Sequence, residues 1–217
     1  QDLKRIPFAQ PEKSQEESVS ILSSENIEIK KHLNSYRITE TNFNKNPLTA
    51  FSEQTLKDRL LEYLNYKNAQ LTQVLLNEAI INQLIFEVYE LSPEDRLQVE
   101  AKMGKPIGEL PVLAEARDTY LSVTTIENTS VKEFIQNLAT TSFEEQQIQA
   151  IKTEFESLYQ SNNDLEEFCI RHQANPINVW YWFKESKVLP QGMATEIALE
   201  FLADVLRTIL IEDEDGI

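Results

Sequence analysis

The sequence has 217 residues, of which 41% are hydrophobic, and it carries a formal net charge of -16 at pH 7. This length suffices for one large domain or two small ones. A chain this acidic is excluded as a general DNA-coating protein, because affinity for duplex DNA rests largely on Lys and Arg displacing counterions. A local basic patch, or a basic neighbouring domain on a longer parent chain, could still bring it to DNA.

Glycine, proline and cysteine contents narrow the class further. Only 4 Gly and 8 Pro are present, too few for many short strands joined by tight turns. We therefore predict an all-α protein, an irregular helical bundle. The single cysteine, Cys169, excludes an internal disulfide framework and a Cys-cluster zinc site, which fits a cytoplasmic location. No apolar run is long enough to span a membrane.

The first fifty residues are predicted to be a linker or arm with one short helix. Residues 1–20 are polar, a helical stretch covers 24–33, and an Asn-rich turn follows. Residues 51–217 are predicted to form the helical bundle domain, and a further boundary near 104–113 stays open. Neither end of the sequence resembles a natural terminus, so we interpret the chain as a fragment of a larger protein.

Helix signals then follow one another along the bundle region. A helix is expected to start near Ser52 and run through 55–68, and a second to cover 71–91. Ser92 can cap a new helix with Pro93 in its first position. That helix is expected to end at Gly104, and a loop rich in Gly and Pro occupies 105–113.

Four further helices are predicted in the second half. Short helices cover 114–122 and 130–138. A longer one covers 142–160, and its core side is expected to consist of Phe143, Ile148, Ile151, Phe155 and Leu158. The last predicted helix covers 192–211. Its broad apolar face consists of Met193, Ile197, Ala198, Leu199, Phe201, Leu202, Val205, Leu206, Ile209 and Leu210. A helix this apolar is either central in the bundle or covered by another domain.

No reaction centre is evident from the residue pattern. The glycines at 104, 108, 192 and 216 cannot form a dinucleotide-binding turn or a P-loop. His32 and His172 are interpreted as surface or helix-end residues, and Cys169 with His172 gives poor geometry for a nucleophile and its base. The acidic end at 212–215 lacks the ligand spacing of a calcium loop. We predict no catalytic residue, no metal site and no cofactor within this chain.

Residues 164–186 predict a helix-turn-helix-like corner. Cys169 fills the small inward position of the first helix, and Val179 and Trp182 point inward from the second. Asp164 can cap the first helix, and Asn175-Pro176 can start the second with a cap and a first-position proline. Gln173 occupies the turn position that is usually Gly, which is a departure from the motif.

This corner supplies the candidate DNA-binding residues. The second helix is expected to expose its polar side chains, since Asn and Lys can contact base edges and Tyr can contact phosphate or sugar. The candidates are Asn175, Asn178, Tyr181, Lys184 and Lys187. Acidic residues outnumber basic ones within 164–186, and the competing interpretation is a bundle corner whose WYWF aromatics only pack.

Two stretches resemble a known family. INQLIFEVYELSPEDRLQVE (81–100) resembles a helix-plus-corner beyond the catalytic core of adenine-specific DNA methyltransferases of type IIG restriction-modification and related phage-defence systems. NPINVWYWFKESKVLPQGMATEIALEFLADVLRTILIEDEDGI (175–217) is similar to C-terminal segments of large proteins of that group. The catalytic Asn-Pro-Pro-aromatic motif does not carry over, because Asn175-Pro176-Ile177-Asn178 matches only its first two letters.

The resemblance implies a non-catalytic accessory domain of a DNA-modifying protein. Such a domain would position the catalytic core or a partner subunit and could contact DNA, and S-adenosylmethionine would bind elsewhere in the parent. The alternative is an acidic protein–protein interaction module without DNA contact, in which the apolar last helix and acidic tail dock a partner.

Overall fold

The computed structural model describes residues 9–158 and 165–212. Within these residues the fold is all-α, as predicted: the elements are helices, and no strand forms. The helices are α1 (Lys13–Asn34), α2 (Pro47–Ala50), α3 (Leu56–Val88), α4 (Pro93–Met103), α5 (Ala114–Val123), α6 (Thr129–Asn137), α7 (Glu145–Leu158), α8 (Leu165–His172), α9 (Pro176–Ser186) and α10 (Gln191–Glu212). A short 3-10 turn, Ile107–Glu109, interrupts the predicted loop before α5.

The longest helix, α3, joins two segments that were expected to be separate. It begins after Thr55, whose hydroxyl accepts a hydrogen bond from the Asp58 amide at 3.1 Å, so the expected start near Ser52 is wrong. It then continues without a break to Val88, because nothing between 68 and 71 is a Gly or Pro that would end a helix. Residues 72–77 are all buried, so the middle of α3 is an axis of the bundle.

Helix α1 is longer than the sequence pattern predicted. It begins at Lys13 rather than near residue 24, so the interpretation of 13–20 as linker is wrong, and residues 1–8 of the predicted arm lie outside the described residues. Leu22 is buried against α3. Asn26 accepts a hydrogen bond from the Asn77 amide of α3 at 2.9 Å. Buried apolar and amide contacts therefore hold α1 in the bundle.

The cap signals predicted for α4 were confirmed. Ser92 caps α4 through the Asp95 amide at 3.1 Å, Pro93 is its first residue, and Gly104 ends it with φ of 86°. Helices α5 and α6 begin and end within one residue of the expected positions. Short-range chemistry thus fixed the boundaries of α4.

Helix α7 forms part of the core as expected. It begins at Glu145, three residues after the expected start at 142, and the expected end at 160 and the side chain of Leu158 are not described. Ile151 and Phe155 are buried, and the Phe155 ring stacks on Phe168 of α8 at 5.7 Å between centroids. Phe143 and Ile148 pack against the same cluster.

Helix α9 lies at the junction of two core clusters. One cluster contains Val179, Trp182 and Phe183, and the other contains Ile177 and Trp180. Helices α3, α5, α7 and α8 all contact α9. The second helix of the predicted corner is therefore a core element of the bundle.

Candidate interaction surface

The predicted corner between α8 and α9 is present as two helices joined by a three-residue turn. The expected inward residues Cys169, Val179 and Trp182 are all buried, which confirms that part of the motif. Gln173 has φ of 48°, a left-handed conformation that normally favours glycine. Its side-chain amide donates to the Ile170 carbonyl at 2.8 Å. Asp164, the expected cap of the first helix, lies outside the described residues.

Asn175 is the buried N-cap of α9 and not an exposed DNA-binding residue. Its carbonyl oxygen accepts from the Ile177 amide at 2.9 Å, which confirms the predicted helix cap. Its amide nitrogen donates to the carbonyls of Leu110 at 2.7 Å and Gly108 at 3.2 Å. The side chain is 0% exposed, so it cannot contact DNA in this conformation.

Asn178 is also buried, which corrects the expectation that α9 exposes it. Its carbonyl oxygen accepts from the Leu113 amide at 2.8 Å, and its amide nitrogen donates to the Pro111 carbonyl at 3.3 Å. The physical reason is the loop at 105–113, whose backbone groups are buried against α9 and need hydrogen-bond partners. Both asparagines supply those partners.

The remaining candidates lie along one edge of α9. Tyr181 is half-buried, and burial together with a hydrogen bond to the Glu115 carboxylate raises the pKa of its hydroxyl to about 12. The ammonium group of Lys184 lies 5.2 Å from the centre of the Trp180 ring. Lys187 is exposed and has φ of 52° just after the helix. The two lysines are close to Glu185 in sequence, so the edge carries no continuous basic surface for a phosphate backbone.

A groove lined by polar and apolar side chains lies beside this edge. It has a volume of about 980 Å³ and is lined from α1, α3, α5 and α9. At its rim, the hydrogen bond that protonated Glu62 donates to the Glu53 carboxylate raises the pKa of the Glu62 carboxyl. Both glutamates are exposed. They are therefore solvated, unlike the carboxyl pairs that perform acid–base chemistry in desolvated pockets.

Helix α10 has the expected position in the sequence but not the expected burial. Ile197 is 4% exposed, and Met193 and Phe201 pack against the core. Val205 and Ile209, expected on the same buried face, are 37% and 54% exposed. The prediction that α10 is central in the bundle is wrong for its second half. The alternative, that another domain covers it, stays a prediction.

The exposed side of α10 forms a connected apolar surface, which we call the α10 face. Its members are each between 37% and 62% exposed: Leu199, Leu202, Val205, Leu206, Ile209 and Leu210. Their spacing of three and four residues places them on one side of the helix. The sequence analysis treated these leucines as a wider part of the core side and missed that they form a second face.

The charged residues of α10 lie on the opposite side, toward the bundle. Arg37 contacts the carboxylates of Glu196 at 3.0 Å and Glu200 at 3.8 Å. The Arg207 guanidinium lies 5.2 Å from the centre of the Phe43 ring. These contacts orient α10, and as a result its apolar side faces away from the bundle.

Three further findings concern metal binding, membrane-spanning helices and similarity to known proteins. Within residues 9–158 and 165–212, no group of three or more His, Cys, Asp or Glu side chains is arranged to hold a metal ion. Across the same described part of the chain, no helix combines the length and apolar character needed to cross a membrane. Comparisons with protein-family models, curated proteins and solved structures found no match. The resemblance to adenine-specific DNA methyltransferases stays a prediction.

Proposed function

We propose that this chain is a helical protein–protein interaction module and that the α10 face is its docking surface. The observation that carries the proposal is the exposure of six aliphatic side chains on one side of a helix whose first half is anchored to the bundle. Soluble monomers rarely leave a connected apolar patch of this kind in water, whereas interaction sites do so regularly.

The energetics of the α10 face favour a bound protein over open solvent. Each Leu or Ile that becomes fully buried contributes about 1.5–3 kcal/mol. From Leu202 onward the helix has few bundle contacts of its own, and an isolated helix of this length is marginal in water. A partner that covers the face would stabilise both the exposed leucines and the helix that carries them.

Direct DNA contact has less support. Two of the five candidate residues, Asn175 and Asn178, are fully buried and occupied by backbone hydrogen bonds. The formal charge of -16 opposes approach to phosphates. The wider context, an accessory domain within a DNA-modifying enzyme that itself binds S-adenosylmethionine, remains a proposal that the family resemblance suggests.

Site-specific photo-crosslinking in cells that express the chain tests the proposal. A photoreactive amino acid replaces Leu206 in one variant and Leu97, an equally exposed leucine of α4, in the control. We expect a discrete protein adduct from position 206 and none from position 97. A nucleic-acid adduct at 206, or the absence of a protein adduct specific to 206, would overturn the proposal.

A further inference from the structure

Helix α4 is attached to the bundle in a different way from its neighbour α5. None of its residues, Pro93–Met103, is buried, whereas α5 has a similar length and buries Ala116 and Tyr120. Leu97 and Met103 are 65% and 82% exposed. Since packing of an apolar face provides most of the stability of a helix in a protein, other contacts must hold α4 in place.

Those contacts converge on Arg96. Its guanidinium pairs with the Glu109 carboxylate of the 3-10 turn at 2.6 Å and with Glu100 of α4 itself at 2.8 Å. The same group lies 5.2 Å from the centre of the Phe86 ring of α3. One side chain therefore connects α4 both to the loop before α5 and to the last turns of α3.

The ion pair satisfies only part of the Glu109 carboxylate. This side chain is only 7% exposed, and among the described residues no donor reaches its second oxygen, Oε1. A buried acceptor that lacks a hydrogen bond carries its full desolvation cost. Contact of Glu109 with water would remove that cost. The attached position of α4 thus combines a favourable ion pair with an unfavourable buried oxygen.

A cavity separates part of α4 from the bundle. It has a volume of about 430 Å³, and α4 contributes Val99 and Met103 to its wall. Ala79 and Phe86 of α3 and Ile107 of the 3-10 turn also line it. Because side chains do not fill the space between these walls, α4 gives up little apolar contact when it moves away from the bundle.

The backbone turns sharply at both ends of α4. Glu90, which precedes the helix, has φ of 50°, and Gly104, which ends it, has φ of 86°. A β-carbon at Gly104 would meet no atom of the described structure within 4 Å beyond its own neighbours. A few residues at the end of an element are the usual hinges of a moving segment, and here they can change conformation without disturbing the core.

We propose that α4 is a flap that detaches from the bundle while the other helices stay folded, and that Arg96 holds it closed. Detachment lets water reach Glu109 and uncovers Phe86 and Ile107 at the cavity wall. An unpacked helix of 11 residues is marginal in water, so the detached segment exchanges its amide hydrogens nearly as fast as an unfolded chain. This inference does not depend on the α10 face.

Hydrogen–deuterium exchange of the purified full chain, followed by mass spectrometry, tests the inference. In wild type we expect peptides of α4 to exchange much faster than peptides of α5. Arg96→Leu should raise the ratio of detached to attached α4, and with it the α4 exchange rate, about thirty-fold or up to the unprotected rate, with no change in α5. Lys102→Leu, which removes an exposed cation from the same helix, is the matched control and should leave exchange unchanged.

The double variant Arg96→Leu with Glu109→Gln gives a second readout. A neutral side chain at position 109 does not need a cation when it is buried, so α4 exchange should return toward the wild-type rate. Exchange of α4 in wild type that is as slow as that of α5 would overturn the inference, and so would an unchanged rate in Arg96→Leu. If α5 and the middle of α3 accelerate as much as α4 in Arg96→Leu, α4 opens only when the whole bundle unfolds, and the inference is wrong.

Discussion

The side chain of Asn178 on α9 and the backbone amide of Leu113 form a hydrogen bond of 2.8 Å between residues 65 positions apart in the sequence. This bond attaches α9 to the residue that precedes α5. Asn178, predicted to contact DNA bases, therefore holds two parts of the bundle together. The surface that is open to a partner lies on α10 and not on α9.

Replacing Asn178 with Ala should destabilise the bundle. The Leu113 amide and the Pro111 carbonyl would both lose a buried partner, and each such loss costs about 1–3 kcal/mol. We expect the free energy of unfolding in urea to fall by at least about 2 kcal/mol. Asn82→Ala, at an exposed position of α3, should change it by no more than about 0.5 kcal/mol. Equal effects at 178 and 82 would show that the buried amide has no special role.

Replacing Gly108 with Ala should also destabilise the chain. A β-carbon at this position would lie 2.7 Å from the Leu75 carbonyl oxygen and 2.8 Å from the Ala79 β-carbon. The clash with backbone cannot be relieved by a side-chain rotation, so we expect a loss of about 1–3 kcal/mol in thermal or chemical unfolding. In the double variant with Ala79→Gly, only the side-chain part of the clash is relieved and the recovery should be partial. Wild-type stability in Gly108→Ala would contradict the close packing of this turn on α3.

Replacing Arg96 with Leu should weaken the attachment of α4 to the bundle and lower the free energy of unfolding. None of the residues Pro93–Met103 is buried, and Arg96 links the helix to the Glu109 carboxylate at 2.6 Å. The Glu109 side chain is only 7% exposed, and a buried carboxylate that loses its cation is destabilising. We expect a loss of about 2 kcal/mol, since Arg96 itself is partly exposed.

A double variant tests whether the unpaired charge of Glu109 causes this loss. Arg96→Leu combined with Glu109→Gln should recover much of the loss seen in Arg96→Leu. Urea unfolding of the single and double variants measures the difference. If the double variant is less stable than the single one, the charge of Glu109 is not the source of the effect.

Replacing Arg37 with Met should make stability more sensitive to pH. Burial raises the pKa of Glu200 above its ordinary value of 4.5, and Arg37 opposes that increase. A carboxyl whose pKa is higher in the folded chain stabilises the fold fully below its unfolded pKa, and that contribution is lost as pH rises through the folded pKa. Without Arg37 the pKa of Glu200 rises further, so the variant should lose stability relative to wild type as pH rises from about 4 to 7.

Melting temperatures across this pH range measure the effect. We expect the free energy of unfolding of Arg37→Met to be only about 0.5 kcal/mol below that of wild type at neutral pH. The Arg37 side chain is half exposed, so solvent screens its attraction to Glu200. Arg171→Met, which removes an exposed arginine paired with Glu167, serves as the control and should show a smaller pH dependence. A penalty for Arg37→Met that shrinks as pH rises would contradict the assignment.

Local signals in the sequence predicted much of the helix layout. The Ser92-Pro93 and Asn175-Pro176 starts were confirmed, because a cap and a first-position proline act through neighbouring residues alone. The continuity of α3 was missed, although the lack of a breaker between 68 and 71 was a signal that could have predicted it. The turn at Gln173 adopted the left-handed conformation without glycine, since its side chain bonds to the preceding helix.

Burial could not be predicted where the pattern allowed two orientations. In α10, Ile197 and Leu199 are both aliphatic, and distant contacts such as Arg37 with Glu196 decide which of them faces the bundle. In α9, an asparagine in a helical pattern suggests an exposed position, and only the loop at 105–113 shows why it is buried. The α10 face therefore became visible only with the tertiary contacts.

Thiol labelling at position 206 measures whether a protein covers the α10 face in cells. The one native cysteine, Cys169, is 0% exposed, so a Leu206→Cys variant offers a single reactive site, and Leu97→Cys provides an exposed reference on α4. We expect fast maleimide labelling at both positions in the dilute purified chain, and protection of position 206 alone in intact cells. Duplex DNA added to the purified chain should protect neither position. Labelling in cells that is as fast at 206 as at 97, or slow labelling at 206 in the dilute chain, would contradict the claim that α10 presents an open apolar face for a protein partner.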